Sequence, residues 1–65
     1  MLLLDGNYLR FDGRVQFLYI DEQKLVFSMR KNIYTIIGYS LQIKEYSLSQ
    51  TIVYGKVVQI GVEDV

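Results

Sequence analysis

The chain has 65 residues, about half of them apolar, with seven Lys and Arg against seven Asp and Glu and neither His nor Cys. A chain this short buries only about 60% of the surface its unfolded form exposes, so residues 1–65 are expected to form one small domain around one core. Balanced charge gives no net field to attract a polyanion or an acidic membrane surface. The absence of His and Cys removes disulfides and the commonest carriers of general-base, thiol and zinc chemistry.

The opening Met1-Leu2-Leu3-Leu4-Asp5 meets a carboxylate after three leucines, too early for the apolar region of a signal peptide, and no window reaches the ~20 apolar residues of a membrane span. From Leu9 the odd positions are apolar (Leu9, Phe11, Val15, Phe17, Tyr19), with Arg10, Asp12, Arg14 and Gln16 between them. That alternation predicts two-faced strands broken near Gly13. Asp21-Glu22-Gln23 predicts a turn, after which Leu25, Phe27 and Met29 resume an inward face against Lys24, Ser28 and Arg30. Lys31-Asn32 predicts the next turn. Ile33 to Ile37 is apolar on both faces, as a central strand would be, and Gly38-Tyr39-Ser40 is expected to close it. Leu41, Ile43 and Tyr46 follow, then a loop at Ser47-Leu48-Ser49-Gln50, then Thr51 to Tyr54, and finally Val57 to Val62 across a corner at Gly55-Lys56.

No window shows a helical period, and β-branched and aromatic residues dominate. The expected fold is all-β, about seven short antiparallel strands in a small sandwich, barrel or stacked-hairpin arrangement. Phe17, Phe27, Ile36 and Ile43 are the expected core. A β-prone pair, a glycine and an apolar-Gln-apolar triplet recur at Phe11-Asp12-Gly13 with Val15-Gln16-Phe17, at Ile36-Ile37-Gly38 with Leu41-Gln42-Ile43, and at Val53-Tyr54-Gly55 with Val58-Gln59-Ile60. The glycines are unequally spaced, 25 and then 17 residues apart, so Gly13, Gly38 and Gly55 are read as hairpin turns rather than as marks of a solenoid.

Asp21-Glu22 and Glu63-Asp64 are adjacent carboxylates. Neighbours on a strand point to opposite faces, so neither pair is expected to act as an acid/base dyad. Six tyrosines and three phenylalanines, with Arg10, Arg14 and Arg30, raise the possibility of base stacking, but Phe11, Phe17 and Phe27 all fall on inner faces. The pI of about 6.1 also lies below the value of about 9 that marks nucleic-acid binders. No cofactor, metal or small-molecule substrate is expected. A chain below roughly 70–80 residues without disulfide or metal depends on assembly for stability, and a proline-free sheet has unguarded edges. A homo-oligomer is therefore expected, joined by strand edges or by apolar outer-face positions Leu18, Ile20, Val26 and Val53.

Taken in order, Leu2-Leu3-Leu4-Asp5-Gly6, Leu9-Arg10-Phe11-Asp12-Gly13 and Phe17-Leu18-Tyr19-Ile20-Asp21 resemble the opening of the YabP/YqfC family of sporulation proteins. Tyr34 to Lys44 resembles that family's strand, glycine and Leu-x-Ile-Lys stretch, and Ile52 to Ile60 its closing β-Gly-β hairpin. The resemblance implies a small cytoplasmic, non-enzymatic protein made during endospore formation, on the mother-cell side of the forespore. It also implies a membrane-protein partner encoded nearby and a role in envelope or coat assembly. Two other readings of the residues stand beside it: an Sm-like or OB-like barrel binding single-stranded nucleic acid, and a phage or mobile-element structural protein.

Overall fold

The computed structural model of the chain describes residues 2–5, 7–13 and 15–64, with the backbone alone for residues 2–5. Among these residues there is no helix. Six strands form: β1 (Leu2–Asp5), β2 (Tyr8–Asp12), β3 (Gln16–Ile20), β4 (Lys24–Met29), β5 (Asn32–Tyr46) and β6 (Gln50–Asp64). They make one antiparallel sheet in the order β1-β2-β6-β5-β4-β3, open because β1 and β3 at its two ends do not pair with each other. The all-β, antiparallel expectation holds; the expected seven short strands are instead six, two of them long.

The sheet cannot be flat. Straight 15-residue strands would run about 48 Å, yet the molecule's longest extent is 26 Å. The link from Asp12 to Gln16 can reach about 14 Å, whereas β2 and β3 would lie about 19 Å apart across four flat strand spacings. Both limits are met by bending β5 and β6 in the middle, so that the half holding β1, β2 and the start of β6 folds over the half holding β3, β4 and the start of β5. The rings of Phe11 on β2 and Phe27 on β4 then meet edge-to-face with centroids 4.6 Å apart.

The bend explains the glycines. Gly38 and Gly55 do not end strands as expected; they lie inside β5 and β6. Gly38 does not have the positive φ of a turn glycine. A Cβ on it would lie 2.1 Å from the Lys56 carbonyl oxygen, so its role is to let two backbones touch at the corner. Gly55 has φ +134, and its added Cβ would lie 2.8 Å from the Ser40 carbonyl oxygen. Ser40 itself is left-handed, with φ 53, as is Arg30, with φ 58. The ladder between β5 and β6 shifts register between Ile37 and Gly38, Tyr39 and Gln42, and Ile43 and Glu45. Such extra residues bend a strand and increase its twist. Gly13, with φ +89, is a turn residue as expected. Its N–H donates to the Ser49 carbonyl at 2.8 Å, and its own carbonyl accepts from the buried Thr51 hydroxyl at 3.2 Å.

Between the two halves lies a core of Leu9, Phe11, Val15, Leu25, Phe27, Ile36, Leu41 and Val53. Phe27 and Ile36 are fully buried as expected, while Phe17 and Ile43 pack against the core and remain partly exposed. Tyr34 stacks on Phe27 with centroids 5.2 Å apart. The Asp21–Gln23 turn forms where the sequence predicts it and seals the bend of β5: the Gln23 carbonyl accepts from Gly38 N–H at 3.0 Å and the Glu22 carbonyl from Leu41 N–H at 2.9 Å. The second predicted turn falls at Arg30-Lys31, with Asn32 already the first residue of β5.

Candidate functional site

The Asp21 carboxylate is engaged in the structure of its turn. Asp21 Oδ1 accepts from the backbone N–H groups of Gln23 at 2.7 Å and Lys24 at 2.9 Å, and Oδ2 accepts from the Tyr19 hydroxyl at 2.8 Å. These bonds, the Gln23 N–H foremost, hold the Asp21 carboxyl below its ordinary value. The same Tyr19–Asp21 bond raises the Tyr19 hydroxyl above its own. This is a carboxylate closing a hairpin turn. Glu63 and Asp64 end β6, opposite Ile33 and Asn32. With its side-chain amide turned to face the carboxylate, Asn32 donates to Asp64 Oδ1 at 2.8 Å. No group of three or more acidic or other ligating side chains suited to a metal exists among the described residues.

The aromatic residues divide into an inner and an outer set. Phe11, Phe17, Phe27, Tyr34 and Tyr46 form one linked cluster facing the core, and the Tyr46 hydroxyl donates to the Val15 carbonyl at 2.5 Å. On the outer face Tyr8 and Tyr54 pair at 6.1 Å, with the Lys44 ammonium 5.6 Å above the Tyr54 ring. The neighbouring cross-strand row sets Arg10 opposite Ile52 and Ile52 opposite Glu45, so an acid shares the face with the two bases. Arg30 sits in the turn before β5. Arg14, like Gly6, lies outside the described residues. An open groove lined by Val15, Gln16, Ser28, Met29, Arg30 and Tyr46 runs past that turn.

The positions expected at an interface are divided by two bulges. Leu18 and Ile20 are 53% and 56% exposed. Val26 is half-buried on the outer face between Tyr19 and Thr35. Val53 is a correction: it is 1% exposed and lies between Leu9 and Ile43 in the core. Its misplacement has a physical cause. Val57 pairs with Gly38 and Gln59 with Ile37, so Val58 is an extra residue; before it the odd residues of β6 face inward, after it the even ones do. A second extra residue, Leu18, lies between the Phe17–Phe27 and Tyr19–Val26 pairs. It turns the expected inward Tyr19 to the outer face and leaves Ile20 at the rim of the core side.

The second half of β6, from Val57 to Asp64, is a free edge that is not among the expected interface positions. β2 pairs with β6 only from Gln50 to Tyr54, so from Val57 onward β6 has β5 on one side and no described strand on the other. Val58 and Val62 on this edge are 60% and 56% exposed. No charged residue interrupts the stretch from Val57 to Val62. The other free edges are charged or short: the end of β5 carries Lys44 and Glu45, β1 has four residues, and β3, bulged at Leu18 as β6 is at Val58, has five. Charges and short length are among the usual means by which an edge is kept from pairing. The signal for the missed edge was present in the sequence as an uncharged, proline-free run between Lys56 and Glu63.

No family model, no curated protein and no solved structure matches the chain. No helix among the described residues is long and apolar enough to cross a membrane.

Proposed function

We propose that this chain is a non-enzymatic assembly protein that acts by associating with copies of itself and, through the resulting assembly, with a membrane-protein partner. The observation that carries this reading is the long uncharged edge of β6, whose unpaired backbone groups adjoin exposed Val58 and Val62. Such an edge in water is a template for another strand. The small core supports the same reading, because a 65-residue chain without disulfide or metal gains stability by burying surface against a partner. The resemblance to the YabP/YqfC family, resting on the glycine and apolar pattern, gives the biological setting of the proposal: the cytoplasmic side of the forespore envelope or coat during sporulation. Static light scattering at micromolar concentration tests the self-association, with a mass of at least twice 7.6 kDa expected. A monomer mass throughout the micromolar range contradicts it.

A further inference from the structure

We infer that the partner at the β6 edge is a second copy of the same edge, related by a two-fold axis through Ile60 and forming one sheet continuous across both copies. This rests on the assembly reading above and adds the partner and the register. A two-fold axis relating two antiparallel edge strands must stand normal to the sheet, so the same face is up in both copies; on the regular stretch from Gln59 onward even-numbered residues pair only with even-numbered ones, while at the bulge Val57 and Val58 together occupy one inward position and the alternation inverts before them. Among these registers, the one centred on Ile60 sets Val58 opposite the partner's Val62, Gln59 opposite the partner's Gly61 and Ile60 opposite itself. With Val57 and Val58 together opposite Val62, it also sets the exposed Lys56 opposite the partner's exposed Glu63, both on the outer face. Both valines that the single chain leaves facing water are then covered, twice over by symmetry.

The neighbouring registers lack this match. Sliding the partner by two residues one way sets Val58 against Asp64; sliding it the other way moves Lys56 away from the acidic end, to lie opposite Gly61. Directly opposed apolar and opposite-charge pairs stabilise a sheet, whereas the first alternative opposes a charge to an apolar group and the second leaves Lys56 without its acid. Gly61 fits the same picture. Its φ is ordinary and an added Cβ would find open space, with nothing nearer than the Thr35 carbonyl oxygen at 4.0 Å, so neither turn geometry nor crowding within the chain calls for glycine there. In the paired edge it lies opposite Gln59, leaving room for that longer side chain.

The absence of cysteine makes the test direct. In the two-fold register the two copies of residue 60 face each other at about 4.5–5.5 Å between Cα atoms, within disulfide range. Under mild oxidation, Ile60→Cys is expected to cross-link into a covalent dimer at least ten times faster than Leu48→Cys, which puts a thiol on a loop position that is 75% exposed. Val62→Lys, at a position already exposed and so compatible with the fold, is expected to raise the dimer dissociation constant at least tenfold with an unchanged circular dichroism spectrum. If the wild-type chain is oligomeric by light scattering but Ile60→Cys cross-links no faster than Leu48→Cys, or Val62→Lys associates as tightly as wild type, the edge and register are wrong while self-association stands. A wild-type monomer overturns both.

Discussion

Three of the glycines do different work, and substituting each in turn separates the reasons. At Gly38 the obstacle is a backbone oxygen that a side chain cannot push aside, and at Gly55 both φ and space exclude a Cβ. Gly38→Ala and Gly55→Ala are each expected to cost about 1–3 kcal/mol through overpacking and backbone strain. That is a large part of the roughly 3–10 kcal/mol available to a domain of this size. Gly61→Ala meets neither obstacle and is expected to be neutral or to stabilise the single chain by about 0.4–1 kcal/mol, by restricting the unfolded state. Urea melts of the three variants measure this. Equal losses at Gly38 and Gly61 would show that crowding at the corner is not what selects glycine. From the sequence alone these residues look the same, because a glycine between two β-prone runs fits a turn and a close crossing equally well.

At the scale of elements, the turns were the most legible parts. Asp21-Glu22-Gln23 and Ser47-Leu48-Ser49 are polar and β-poor between alternating runs, and each links two strands in the structure. The long strands were not legible as such. Nothing local marks the continuity of β5 through Gly38 or of β6 through Gly55, since it depends on pairing between residues far apart in the chain. Each bulge also inverts the alternation beyond it, so simple alternation locates Phe27 and Ile36 in the core but puts Tyr19 and Val53 on the wrong faces. The Asp21 turn carries a pH prediction. Its carboxyl titrates below the ordinary 3.8 when folded, so its contribution is present above that value and is lost as the pH falls through the folded one. Tyr19, raised above 10.0, contributes below that value and loses its contribution as the pH rises through the folded one. Thermal melts on the acid side are therefore expected to fall more steeply with pH for wild type than for Asp21→Asn. Parallel curves would mean that the turn bonds do not differ between folded and unfolded chains.

For the molecule as a whole, the all-β class and the single small core follow from length, composition and alternation, and the proposal of assembly starts from the same small size. The proposed site of assembly is visible only in the fold. Only when β5 and β6 are seen to bend together does the end of β6 emerge as an edge that β2 has left behind. The candidate residues Leu18 and Ile20 are exposed as expected, but they lie on a strand of five residues, whereas Val58 and Val62 lie on a longer free edge with no charge between them. The central claim is that this edge is where copies meet. Amide hydrogen exchange resolved by residue, recorded at concentrations on both sides of the association midpoint found by light scattering, tests it most directly. The account predicts that edge-facing amides between Val57 and Asp64 become protected as concentration rises while those of β3 do not change; protection that leaves β6 unchanged, or that appears on β3 instead, would contradict it.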